Sequence, residues 1–256
     1  MLAGRLWFVL SLDQLWIPMR FGEIFFPTTT ARSFRNRVWH RPWIPFRRRI
    51  SFSSLDHPVV IDNGTMSFAI DKKSGKKCYM IGARRLSIAW GDTPSYWRWR
   101  SLPAQSRFLE VAELRFVWWL DIKGRIETNM LSPKTRYAAY FVYKLKERSY
   151  GLQEKPVKLR VYFEGEEEHQ EVLGHVNGYE TSTTSVFLEP PQNMLQQFKE
   201  RGDGWMEVEM GEFFNDGGEK DDQRILVFSL FEFDNITTKS GLVVEGIELR
   251  PKAIDR

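Results

Sequence analysis

The 256-residue chain has a single cysteine, Cys78, which excludes a fold stapled by internal disulfides and makes a reducing compartment the simpler setting. No run of about 18 apolar residues occurs, so no segment reads as a membrane-spanning helix. Histidine is scarce: His40, His57, His169 and His175 are the only four. The close pair, His169 and His175, has no cysteine or carboxylate cluster at metal-site spacing, so neither a metal nor another cofactor is expected. Lysine is absent from residues 1–50, where nine arginines face only Asp13 and Glu23, a net +7. Subtracting +7 from the chain's +4 leaves −3 on residues 51–256. The basic character therefore belongs to the N-terminal segment, and nucleic-acid binding by the remainder is disfavoured. GxGxxG, P-loop, GxSxG and HExxH motifs are all missing. A glycosidase-like carboxylate pair stays open, because its spacing is spatial. Together these absences point to a binding module rather than an enzyme.

Residues 1–55 read as a poorly ordered basic extension. Leu6–Leu10 is apolar but is interrupted at Asp13 and Gln14, and the Arg-, Ser- and Thr-rich remainder resembles a transit peptide except for its four tryptophans. Arg47–Arg49 suits a solvated linker or a nuclear import signal. Residues 56–256 form the second unit, and strand signals dominate it. Ser67–Ile70 and Lys77–Ile81 flank the turn residues Lys72–Gly75, a hairpin. Cys78 lies in the second of these strands and reads as a small buried hydrophobe. Arg115–Glu127 reads as one long strand, with Gly124 marking a bulge or a close backbone approach. Arg136–Lys146 sets Tyr137, Ala139, Phe141, Tyr143 and Leu145 on one face. Val157, Leu159, Val161 and Phe163 alternate with polar or amphipathic neighbours. Ser182–Glu189, Trp205–Met210, Arg224–Phe233 and Leu242–Arg250 continue the series. Gln192–Glu200 suggests one short helix, while Glu164–His169 and Glu219–Asp222 read as charged loops. The expected fold is all-β, an antiparallel sandwich with few short helices.

The stretch Ala83–Arg100, ARRLSIAWGDTPSYWRWR, carries three of the ten tryptophans, Trp90, Trp97 and Trp99. Leu86–Trp90 alternates as a strand, Gly91–Ser95 is turn chemistry, and Tyr96–Trp99 returns. Trp97 and Trp99 share a face. Two readings stand: the rings fill a core, as most tryptophans do, or they join nearby polar groups in a ligand site. A sugar has an apolar C–H face that an aromatic ring covers and hydroxyls that carboxylates bind through charge-assisted hydrogen bonds. The stacking candidates are Trp90 and Trp97. The acidic candidates are Glu212 and Glu219, in the loop-like segment GEFFNDGGE.

These blocks, ARRLSIAWGDTPSYWRW, EVAELRFVWWLDIKGRIETNMLSPKTRYAAYFVYKL, DGWMEVEMGEFFN and KSGLVVEGIELRPK, resemble the phloem protein 2 family in order and content from about Val60 to Lys252. The resemblance implies a plant protein with a jelly-roll-like β-sandwich lectin domain. It implies binding of N-acetylglucosamine oligomers or N-glycan cores on glycoproteins, without metal or catalysis. By motif position it transfers the binding tryptophans to Trp90 and Trp97 and the functional glutamates to Glu212 and Glu219. HPVVIDNGTMSFAIDKKSGKKCYMIGAR is similar to the subgroup in which an F-box precedes the lectin domain. There the partner would be the Skp adaptor of a cullin ubiquitin ligase, with the lectin domain selecting targets. Residues 1–55 depart from that pattern, lacking the leucine-proline opening and apolar helical spacing of an F-box. The expected location is cytoplasm and nucleus. The alternative function is a ligase adaptor or protein-interaction module without sugar binding.

Overall fold

Strand period and sheet layering agree along most of the chain. The computed structural model describes residues 57–165, 183–189, 199–217, 224–234 and 236–252, and Pro58–Arg256 makes one compact unit. Its strands are β1 (Val59–Ile61), β2 (Met66–Ile70), β3 (Lys77–Gly82), β4 (Ser87–Ile88), β5 (Trp97–Arg100), β6 (Val111–Leu114) and β7 (Leu120–Glu127). The series continues with β8 (Thr135–Tyr150), β9 (Val157–Phe163), β10 (Thr184–Val186), β11 (Lys199–Glu200), β12 (Met206–Asn215), β13 (Ile225–Glu232) and β14 (Ser240–Pro251). Helical structure among the described residues is confined to three 3₁₀ turns, Asp62–Gly64, Ala83–Arg85 and Thr128–Met130. A nine-stranded sheet runs β1-β2-β3-β14-β8-β12-β11, with β6 on the first half of β14 and β5 beyond it; a five-stranded sheet runs β10-β9-β13-β7-β4. Every pairing is antiparallel.

The two sheets form an antiparallel sandwich. Tyr137, Ala139, Phe141 and Tyr143 of β8 meet Leu159, Val161 and Phe163 of β9 and Leu226, Phe228 and Leu230 of β13 in one core. Fully burying each such large side chain contributes about 1.5–3 kcal/mol. Gly124 lies at a close approach of the layers: a Cβ there would stand 3.0 Å from Ile247 Cδ1 and 3.1 Å from Leu86 Cδ2. The β2–β3 hairpin closes as its turn chemistry requires, with Asp71 Oδ2 accepting from the Ser74 amide and hydroxyl at 2.8 and 2.6 Å. A smaller cluster, Met80, Phe108, Val111, Val142, Trp205 and Val243, lies outside the main core.

Three expectations change. Arg115–Glu127 is not one strand. The chain leaves the large sheet at Leu114 and enters the small one at Leu120, so residues 115–119 are a crossover held by Val117 pairing with Lys239. Gly211–Asn215 is strand rather than loop. A bulge between Glu209 and Gly211 shifts the alternation, so that Val208 and Met210 before it and Phe213 and Asn215 after it all point inward. Lys199–Glu200, expected at the end of a helix, form β11; the rest of that helix, residues 1–56 and most of both charged loops lie outside the described residues.

Candidate functional site

The Ala83–Arg100 stretch folds as an edge strand, a tight turn and a return strand. Ser87 and Ile88 pair with Lys123 and Ile122, and the Ala89 amide still donates to Asp121 O at 2.9 Å. The chain then turns sharply at Trp90, whose φ is +61°. For a bulky side chain that left-handed backbone costs about 1–2 kcal/mol. Its surroundings impose it. The Gly91 amide donates to Ile88 O at 2.9 Å, and a Cβ on Gly91 would approach that oxygen to 3.0 Å. The indole Nε1 of Trp97 donates to Ala89 O and that of Trp99 to Gly91 O, each at 3.1 Å. The carbonyls on both sides of Trp90 are thus fixed by two tryptophans eight residues on. Trp90 itself is 55% exposed.

An aromatic row extends from it. Trp90 lies 5.8 Å from Tyr96 and 6.5 Å from Trp119; Trp119 lies 5.7 Å from Phe233, and Phe233 lies 5.5 Å from Phe231. Along β7, Leu120, Ile122 and Ile126 face the core, so Trp119 and Asp121 belong to the opposite, outward set; along β13 the same parity puts Phe231 outward, directly across from Asp121. The row therefore crosses one end of the outer face of the small sheet. Lys239 anchors its supports. Only 2% exposed, its ammonium donates to the carbonyls of Trp118, Asp234 and Thr237 at 2.9, 3.3 and 2.9 Å and pairs with the Glu232 carboxylate. One buried cation thus ties the crossover carrying Trp119 to the loop carrying Phe233.

Of the four residues expected at the site, Trp90 and Trp97 meet at the turn and Glu212 lies elsewhere. Trp97 is 2% exposed and packs in the main core, so it offers no ring face; it braces the turn beneath Trp90 instead. Glu212 faces outward on β12, in contact with Lys252 and 3.6 Å from Arg136. It pairs with Ala138, which pairs with Arg250, whereas β5 joins β14 through Glu113 at Val243. Seven residues of strand separate those levels, roughly 20 Å along the sheet. Glu212 is thus remote from Trp90. Glu219 lies outside the described residues. Missed from the sequence were Trp119, Phe233, Asp121 and Lys239. The signal for the first was the Trp118-Trp119 doublet, two large aromatic side chains in succession of which neither joins a core cluster.

The phloem protein 2 family model matches residues 76–251, a span containing the turn, the crossover and both sheets. The chain belongs to the phloem protein 2 family. Its relatives include the Arabidopsis thaliana F-box protein PP2-B10, 40% identical over 81% of this chain and 72% of that protein. Another, F-box protein PP2-B1 from the same plant, is 38% identical over 80% of this chain and 72% of that protein. Solved structures that align with the chain include a carbohydrate-binding module specific for non-crystalline cellulose, at TM-score 0.35 and 11% identity over 67% of this chain and 89% of the module. A second module, in complex with β-1,4-galactotriose, aligns at TM-score 0.31 and 10% identity over 67% of this chain and 91% of the module. In this phloem protein 2 domain the matched span includes the whole aromatic row from Trp90 to Phe233.

Proposed function

We propose that the domain is a non-catalytic carbohydrate-binding module in which Trp90 and Trp119 stack on sugar rings at the outer end of the small sheet. N-acetylglucosamine oligomers or N-glycan cores are the ligand class, following the family. The observation that carries the reading is Trp90 itself. An exposed indole sits on a backbone that disfavours it, held there by hydrogen bonds from buried Trp97 and half-buried Trp99. Local strain kept in place by its surroundings is a mark of ligand sites. The ring's neighbours offer apolar faces, which suits the C–H face of a pyranose.

Isothermal titration of the full-length protein with N-acetylglucosamine trimer tests this. Trp90→Ala should weaken binding at least about tenfold, the loss of one well-buried contact, with the circular dichroism spectrum unchanged. Equal affinity for wild type and variant overturns the assignment. The names of the relatives favour a second reading, an adaptor that meets a Skp component of a ubiquitin ligase in cytoplasm or nucleus. Co-purification of Skp with the full chain, and no glycan retention, would select it.

A further inference from the structure

Among the described residues Asp121 makes no ion pair, although Lys123 shares its face of β7 two residues on. It sits on β7 between Trp119 and Lys123 on the outward face, opposite Phe231 across the β7–β13 pair, and its backbone oxygen holds the amide just before Trp90. Its side chain is half-buried, and Oδ1 is fully covered with no hydrogen-bond donor among the described residues. Lys158 stands one strand further off, across Phe231, and directs its ammonium over that ring, 5.9 Å from the centroid. Two other outward carboxylates in this domain find cations: Glu212 meets Lys252 and Arg136, and Glu164 meets Arg125. A half-desolvated carboxylate without a donor costs stability and gives nothing back within the fold. Because the side chain is only half-buried, the carboxylate beyond the covered Oδ1 is open to a donor from outside, between the half-buried rings of Trp119 and Phe231.

We propose that Asp121 is a ligand-contacting residue, its carboxylate accepting a hydrogen bond from a hydroxyl or amide N–H of the sugar unit stacked on Trp119. The inference rests on the carbohydrate reading and names a polar contact for it. Rings alone bind a pyranose face without regard to its hydroxyls. A fixed carboxylate rejects a sugar that cannot present a donor there, because the group then stays unpaired. Asp121 is thus the specificity element of the row.

Asp121→Asn keeps the shape and removes the charge. Two readouts move in opposite directions if the proposal holds. The affinity of the full-length protein for N-acetylglucosamine trimer, measured by titration calorimetry, falls roughly tenfold or more, the effect of losing a hydrogen bond to a charged acceptor. The melting temperature without sugar stays the same or rises. A structural role predicts the reverse, a lower melting temperature with affinity held. Wild-type binding with unchanged affinity in Asp121→Asn overturns the proposal alone. A melting temperature that falls in the variant overturns it too. Absence of trimer binding by the wild type overturns both it and the carbohydrate reading.

Discussion

Replacing Lys239 by Met should be among the most damaging single changes in the domain. The ammonium and the Glu232 carboxylate are both buried, at 2% and 4% side-chain exposure. The lysine also satisfies three carbonyls from two segments. Methionine fills a similar volume, so little of the loss is packing. What it leaves is a buried carboxylate whose remaining donor is the Asp234 amide, together with three carbonyls short of a partner. Breaking one member of a buried ion pair costs about 3–5 kcal/mol. At roughly 2–4 °C per kcal/mol for a domain of this size, the midpoint of thermal unfolding should fall by about 6–20 °C. Removing both charges in Lys239→Met/Glu232→Leu should recover much of that, because a buried pair exchanged for apolar groups is often neutral. Differential scanning calorimetry of the single and double variants at neutral pH decides the matter. A single-variant loss under about 1 kcal/mol, or a double variant as unstable as the sum of its parts, refutes the idea that the pair is a charge-compensated anchor.

Trp97→Ala should lower stability by about 3–5 kcal/mol, as for other buried tryptophans, whereas Trp90→Ala should leave it within about 1 kcal/mol; urea unfolding of both variants separates brace from ligand contact. Burial pushes the Glu245 carboxyl above its ordinary range, against the pull of its Ser106 hydrogen bond and of Arg107. With the folded pKa above the unfolded one, the folded state holds the proton more tightly. Stability is therefore full below the unfolded value and declines as pH rises through the folded one. Glu245→Gln should flatten that decline and raise the melting temperature at pH 8 relative to wild type. Burial, reinforced by Asp71 and Glu248, pushes the Cys78 thiol up to about 12. At pH 8 only about one thiol in 10⁴ is then ionised, so Ellman's reagent should react slowly with the native protein and fast in denaturant.

Period-two alternation made most of the fold legible, because each strand's inward set can be counted from its own residues. Val157, Leu159, Val161 and Phe163 of β9 are all buried, and so are Tyr137 to Tyr143 at every second position of β8. The count fails where the backbone breaks step. At the Glu209–Gly211 bulge one extra residue reverses the parity, and a segment with glycine and adjacent phenylalanines looked like a loop when it was the continuation of β12. At Phe116–Trp119 the chain changes sheets, and no local pattern marks which of two layers it is joining. The site was harder to read for a related reason. Alternation correctly put Trp97 and Trp99 on one side, but parity says only that two rings agree, not whether their side is inside. That was set by Trp97 pairing with Leu114 and by β6 pairing with β14 at Val243, contacts with chain 17 and more than 100 residues away. Trp90 escaped the ambiguity because its turn lifts it out of any strand. Asp121 was illegible for the same physical cause. Nothing near it in the chain shows that Phe231 lies across from it, or that Lys158 on the strand beyond turns to that ring. Local pattern fixes which side chains share a face; only long-range pairing decides whether that face meets the core or a ligand.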